Sequence, residues 1–289
     1  MKKDFLLIFV LSLVSLIICF NFFTEFGRFS NSNDYLFHFS QARGECFFPE
    51  HYAYSCVNYP PLYHFLVSPF AGSELTFFLF NFCFIFVLIP LTLKLVVKNS
   101  WIVAFYFAVS TPFNVLYAGV FPQMVVLELF LIYLLVRGFN QKAWGFLLVL
   151  LSFFAHQYGF FFMLVVFVFD NFLKYSKGFP ALILGSAFFV DRIFDVFLKF
   201  PVVFLVIGLR KLVKDKNFFM LGLFLFTFLG SFMHLRVFLF TQMILIIPAS
   251  SYMVESKPLF KALMVPFLLV YFVFNLVFWV YLSQLNLFL

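Results

Sequence analysis

The residues able to do chemistry in this chain are few, and several lie close together. Asp34, His38, Gln41 and Glu45 stand at i, i+4, i+7 and i+11, a spacing that puts them on one face of a helix. A carboxylate one turn from an imidazole is suited to proton transfer, since either group can take a proton from a hydroxyl while the other holds it in place. Asn31, Ser32 and Asn33 offer caps at the start of such a helix and Gly44 an end. The alternative, that this face only meets water, stays open from the pattern alone. Farther on comes Tyr59-Pro60-Pro61-Leu62-Tyr63-His64. The proline pair fixes two φ angles and sets up a short helix over 61–71, too short to cross a bilayer, with an ordinary tyrosine-rich interfacial helix as the competing reading.

Other polar groups interrupt apolar runs. Ala155-His156-Gln157-Tyr158-Gly159 and Met233-His234-Leu235-Arg236 read as polar turns. A histidine in a turn makes a structural hydrogen bond more often than it catalyses, whereas Arg236 has the planar donor fork that grips phosphate. In Asp191-Arg192-Ile193-Phe194-Asp195 the arginine and a carboxylate can simply pair. Gln123 and Glu128 fall inside an apolar run, where an ionisable residue faces a cavity or a partner.

The elements that position these groups follow from composition. Of 289 residues 65% are apolar and 11% charged, which excludes a water-soluble fold of this size. Apolar runs at 5–23, 76–97, 101–117, 122–136, 143–157, 158–173, 178–193, 196–213, 217–233, 236–253 and 260–282 predict an all-α polytopic membrane protein with about eleven transmembrane helices. The first run is expected to be a retained helix, because no small-residue cleavage site follows it. If the chain starts in the cytoplasm and crosses at every run, the inner turns collect fourteen of the 19 basic residues. That is the positive-inside pattern, so the net charge of +7 is a topology signal and predicts no nucleic acid partner. One connection, 24–75, is long and outward-facing. It is the expected functional loop of a single transmembrane domain spanning 1–289. Cys46 and Cys56 share it, and an extracytoplasmic disulfide and two free thiols are both consistent with their spacing.

A first span, an outer loop with an early aspartate in an Asp34-Tyr35-x-x-His38 setting, then Tyr59-Pro60-Pro61-Leu62-Tyr63, a short apolar helix and a glycine before the next span together resemble the GT-C class of integral membrane glycosyltransferases. The resemblance is specific over residues 1–100 and rests on span pattern and scattered motifs afterwards. It implies a sugar donor linked to polyprenyl phosphate, a glycan, lipid or protein acceptor, and catalysis on the extracytoplasmic face beside membrane lipid. Asp34 matches the catalytic acidic residue. Many members carry two adjacent acidic residues there, whereas this chain has Asn33 before Asp34. His38 stands beside it as a second catalytic candidate, and Tyr59, His64, His156, Gln157 and Arg236 are the substrate-binding candidates. Either outward arginines or a divalent cation would stabilise the departing phosphate, and no metal ligands are assigned.

Two other readings remain: a lipid or solute transporter, and a non-catalytic subunit. A transporter is expected to show inverted repeats and broken helices, and the sequence displays neither. There is no phosphate loop, dinucleotide fingerprint, zinc spacing or nucleophile elbow. The donor is therefore expected to arrive through the membrane.

Overall fold

The computed structural model describes residues 2–26, 29–30, 32–45, 59–137, 142–171, 202–233 and 238–285. These are 89% helix and include no strand. Three helices are long and apolar enough to cross a membrane: α1 (Lys2–Phe26), α4 (Glu74–Val97) and α13 (Pro258–Leu285), which carry candidate spans. Between α1 and α4 lie two short helices, α2 (Asn33–Ala42) and α3 (Pro61–Val67). The remainder are α5 (Trp101–Ala108), α6 (Thr111–Ala118), α7 (Phe121–Val136), α8 (Lys142–Ala155), α9 (Gln157–Asn171), α10 (Val202–Lys214), α11 (Phe218–Met233) and α12 (Phe238–Glu255). These apolar helices are compatible with a multi-pass membrane protein.

The chain divides into two compact units. The first comprises Met1–Val96, Pro112–Met163 and Val273–Leu289, and the second Val97–Thr111 and Leu164–Phe272. Because the pieces interleave, no linker or shift in composition marks a boundary in the sequence.

In the first unit α1 and α4 run antiparallel. Asp4 pairs with Lys94 at 3.2 Å at one end, and at the other the N–H of Phe29 donates to Glu74 Oε1 at 3.0 Å. Ser73 starts α4 through a reciprocal capping box with Thr76. The middle of α4 carries a proline. Pro90 has no N–H to offer the carbonyl of Phe86, and the turn before it, Phe84–Leu88, is π-helical. The hydroxyl of Ser12 on α1 donates to that Phe86 carbonyl at 2.8 Å. In lipid the backbone has no water to turn to, so a serine on the neighbouring helix replaces the amide that proline lacks.

Aromatic rings run the length of the same contact. Phe23 stacks on Phe29 at 4.3 Å, Phe29 on Phe78 at 3.8 Å, and Phe82 on Phe86 at 4.6 Å, and Phe86 meets Phe113 edge-on at 5.3 Å. Phe78, Phe82 and Phe86 repeat every four residues and so lie along one side of α4. α7 packs on α8, and Gly159 at the start of α9 lets α9 approach α7, since a Cβ there would lie 2.3 Å from Val126 Cγ2.

The second unit is organised around α12, which touches α5, α10 and α11. The side chain of Gln242, fully buried, accepts hydrogen bonds from Ser110 at 3.3 Å and from Thr111, and its amide donates back to Ser110 at 3.0 Å. Val109 there is extended (φ −83, ψ 157), so the run at 101–117 is interrupted. This corrects the expectation of no broken helix: Gln242 supplies from another helix the polar contacts that tolerate the break.

The pairing of Ser12 with Pro90 is directly testable. Ser12→Ala is expected to lower stability by about 1–3 kcal/mol, the cost of a buried carbonyl deprived of its donor. In a Pro90→Ala background, where the amide is restored, the same change should cost under about half as much. Thermal unfolding in detergent measures both, and equal losses in the two backgrounds would refute the pairing.

Candidate functional site

The site is built at the end of the first unit where α2 and α3 lie. α2 starts at the expected place, with the Leu36 N–H donating to the Ser32 carbonyl at 3.0 Å, and ends at Gly44, whose φ of +73 suits glycine. Its cap differs from expectation. The Ser32 hydroxyl makes no cap and donates instead to the Ala118 carbonyl at 2.8 Å, while Ser30 donates to the Tyr117 carbonyl at 2.6 Å. The last carbonyls of α6 lack helical partners, so these two serines terminate α6 and tie the loop down. Gly119 completes this seat. Its φ is +77, and a Cβ on it would lie 2.2 Å from Tyr35 N and 2.5 Å from Tyr35 Cα. The backbone of α2 therefore rests directly on the α6–α7 turn.

This seating turns His38 inward. The expected polar face does not simply meet water: His38 is 3% exposed, Gln41 is half-buried, and only Glu45, beyond the helix end, is exposed. Asp34 lies in the first turn of α2, half-buried, at the positive end of the helix dipole. Phe121, at the start of α7, gives α2, α3 and α4 a common wall. Its ring lies 5.8 Å from Tyr35, 6.2 Å from His38, 5.7 Å from Tyr63 and 5.7 Å from Phe77.

α3 begins at Pro61 as the proline pair dictates, and turns Tyr63 and Val67 inward while Phe65 and Leu66 stay exposed. Tyr63 OH donates to Asn81 Oδ1 at 2.9 Å, and burial pushes its phenol well above its ordinary range. His64 Nε2 lies 2.9 Å from His38 Nδ1. His64 also bonds to the backbone of Pro60, which can only accept. One pair of tautomers satisfies both contacts, with His64 Nδ1–H donating to Pro60 and His64 Nε2 accepting from His38 Nδ1–H. Burial pulls the His64 pKa down to about 4, so His64 is neutral near pH 7.

Tyr59 closes the cluster, with ring centroids 5.2 Å from His38, 5.5 Å from His64 and 6.0 Å from His156. His156, 3% exposed between α8 and α9, has its Nε2 3.0 Å from the Gln123 side-chain amide, and its Nδ1 accepts from the Gly159 N–H at 3.4 Å. Gln123 is 2% exposed, and with Nδ1 accepting, the His156 Nε2–H donates to its amide oxygen. The Tyr35 hydroxyl is buried without a partner, its phenol held neutral by burial and then by the charge of Glu74. Unsatisfied buried polar atoms are uncommon, and the Tyr35 hydroxyl lies beside these histidines against Phe121.

The structure thus brings together His38, Tyr59, His64 and His156, with Asp34 one turn from His38 on α2. Gln157 is exposed at the first turn of α9. Arg236, Cys46, Cys56 and the Asp191–Asp195 turn lie outside the described residues. Glu128 does not join the cluster: its Oε1 accepts from Thr92 Oγ1 at 2.6 Å, farther along α4 and α7. The wall formed by Phe121 escaped the sequence reading, because one phenylalanine among 55 carries no signal. Gln123 was visible as a polar residue in an apolar run. Among the described residues no group of three His, Cys, Asp or Glu side chains is placed to hold a metal ion.

No protein-family model, curated protein or solved structure matches the chain. Fold and site together define an all-helical, membrane-compatible protein with a buried histidine and tyrosine cluster.

Two outcomes test this geometry. Gly119→Ala is expected to lower the melting temperature by about 5 °C or more, because it strains the left-handed backbone and clashes with Tyr35. A wild-type melting temperature in that variant would refute the seat. His64 has a pKa of about 4 when folded against an ordinary 6.5. Between those values the unfolded chain binds a proton that the folded chain does not, so stability falls as pH falls, by about 3 kcal/mol in all. Melting temperatures from pH 7.5 to 4.5 should show this loss in the wild type and a shallower one in His64→Gln.

Proposed function

We propose that this protein is a membrane glycosyltransferase of the GT-C type. It takes a sugar from a polyprenyl phosphate-linked donor and passes it to an acceptor on the extracytoplasmic face. In this reading the chain crosses the membrane about eleven times from a cytoplasmic N-terminus, and loop 24–75 is extracytoplasmic. The observation that carries it is the convergence of His38, His64, Tyr59 and His156 within 6.0 Å ring-centroid steps, on elements that include the helix bearing Asp34.

The chemistry needs a base for the acceptor hydroxyl and stabilisation for the departing phosphate. The acceptor oxygen bonds to the anomeric carbon, the bond from that carbon to the phosphate oxygen breaks, and polyprenyl phosphate leaves. The hydroxyl proton passes to His38 Nε2 or to Asp34. When His38 takes it, Asp34 one turn away offsets the new positive charge, and His64 holds the ring by its other nitrogen. Tyr59, His156, Gln157 and Gln123 are donors and stacking surfaces for sugar and phosphate. Arg236, or a divalent cation, neutralises the phosphate.

A solute or lipid transporter is the second reading, favoured by the interrupted helix at Val109 and by Gln242 set against it. Purified protein with radiolabelled polyprenyl phosphate sugars and a panel of acceptors separates the two. Transfer is expected in the wild type and is expected to fall by about 100-fold or more in Asp34→Asn and in His38→Gln, with melting temperatures kept within about 2 °C. A folded Asp34→Asn protein with full transfer overturns the proposed base. Proteoliposomes that move the labelled lipid without forming a glycosidic bond, and lose that movement in Gln242→Ala, favour the transporter.

A further inference from the structure

Two lysines of the second unit adopt a backbone conformation that glycine takes without strain and lysine does not. Lys98 has φ 58 and Lys216 has φ 52, and among the described residues they are the only non-glycines at positive φ. Their turns are built alike. Each lysine is followed by an asparagine that accepts from the next helix: the Ile102 N–H donates to Asn99 Oδ1 at 3.3 Å, and the Met220 N–H to Asn217 Oδ1 at 3.1 Å.

Both turns lie at the C-terminal end of α12. Asn99 Nδ2 donates to Ser250 Oγ at 3.5 Å, and five residues on Glu255 accepts from Lys211 and, at 2.9 Å, from Lys214, two residues before Lys216. Five helical residues span roughly 7.5 Å. The turns and helix ends gathered here carry Lys98, Arg210, Lys211, Lys214, Lys216, Lys257 and Lys261 with only Asp215 and Glu255, seven cations to two carboxylates. Some are already engaged: Lys211 with Asp215 and Glu255, Lys214 with Glu255, Lys261 with the Val254 carbonyl, and Arg210 over the Tyr252 ring. Lys98, Lys216 and Lys257 are exposed and have no partner among the described residues. Exposed apolar side chains are interleaved with them, with Phe218 72% and Leu259 74% exposed, alongside Val213 and Val254.

A free anion would need the cations alone. Cations flanked by bare aliphatic and aromatic side chains match a molecule with a negative headgroup and acyl chains. We propose that this end of the second unit is a binding site for anionic phospholipid, with Lys98 and Lys216 gripping headgroup phosphate, Lys257 adding charge, and Phe218 and Leu259 lying against the acyl chains. The strained conformation at both lysines is then retained because glycine would carry no charge.

Strain makes the test discriminating. Lys98→Gly/Lys216→Gly removes both charges while relieving the backbone, so the variant should melt in detergent alone at or above the wild-type temperature. Full-length protein is titrated with phosphatidylglycerol, phosphatidylcholine or inorganic phosphate. Phosphatidylglycerol is expected to raise the wild-type melting temperature more than the other two, and the glycine pair to lose at least half of that increment. A Lys98→Arg/Lys216→Arg variant keeps it. Native mass spectrometry should count at least one fewer phosphatidylglycerol on the glycine pair. Equal effects of the two lipids on the wild type, the same shift from inorganic phosphate, or an undiminished shift and lipid count in the glycine pair overturn the site.

Discussion

Backbone resting on backbone is the constraint from which the candidate site follows. Where Gly119 turns from α6 into α7, the chain of α2 comes so close that no side chain fits between them. Ser30 and Ser32 hold the contact by bonding the last carbonyls of α6. Once α2 is seated, its rotation is set: Tyr35 and His38 turn toward Phe121, and α3 brings Tyr63 against the same ring and His64 against His38. The histidine pair is a consequence of that seat, since Pro60 and Pro61 give α3 one way to start and His64 falls on its first turn.

Packing elsewhere obeys what lipid imposes. Apolar burial gains little when the surroundings are as apolar as the core, so helices associate through close contact, ring stacking and hydrogen bonds between them. This accounts for the large phenylalanine content better than hydrophobicity alone. Each stacked or edge-on pair contributes roughly 0.5–1.5 kcal/mol beyond its area in aqueous folds, and the rings along α4 meet one another every turn. Polar groups are used sparingly and in pairs: Ser12 donates to the Phe86 carbonyl one turn before Pro90, Thr92 meets Glu128, and Gln242 holds Ser110 and Thr111.

Much of the local structure was legible in the sequence, and its assembly was not. The limits of α2, its end at Gly44 and the start of α3 at Pro61 follow from local chemistry that needs no distant partner. The role of Ser32 was misjudged because a serine before a helix offers its hydroxyl to whichever buried group lacks a partner, and here that group is 86 residues away. Inward rotation of His38 was hidden for a related reason. A polar face on a short helix reads as water-facing unless the element opposite it is also polar, and the polar partner, His64, stands on a different helix. The break at Val109 was illegible because valine, serine and threonine continue an apolar run without a proline or glycine to mark it.

Neutral histidines suit a site walled by Phe121, Tyr63 and Phe37. A second carboxylate in such surroundings would need a compensating cation, since a lone buried charge is costly. An imidazole pair carries no charge until a proton arrives. Bonds from His64 to Pro60 and to His38 hold the two rings in place. For the proposed transfer this divides the labour. The aromatic wall favours uncharged imidazoles, and Asp34, at the half-buried start of α2, is available when proton transfer makes positive charge. Asn33 in place of a second acid is then consistent with a site whose base is an imidazole supported by one carboxylate, with the phosphate's charge met by a cation elsewhere.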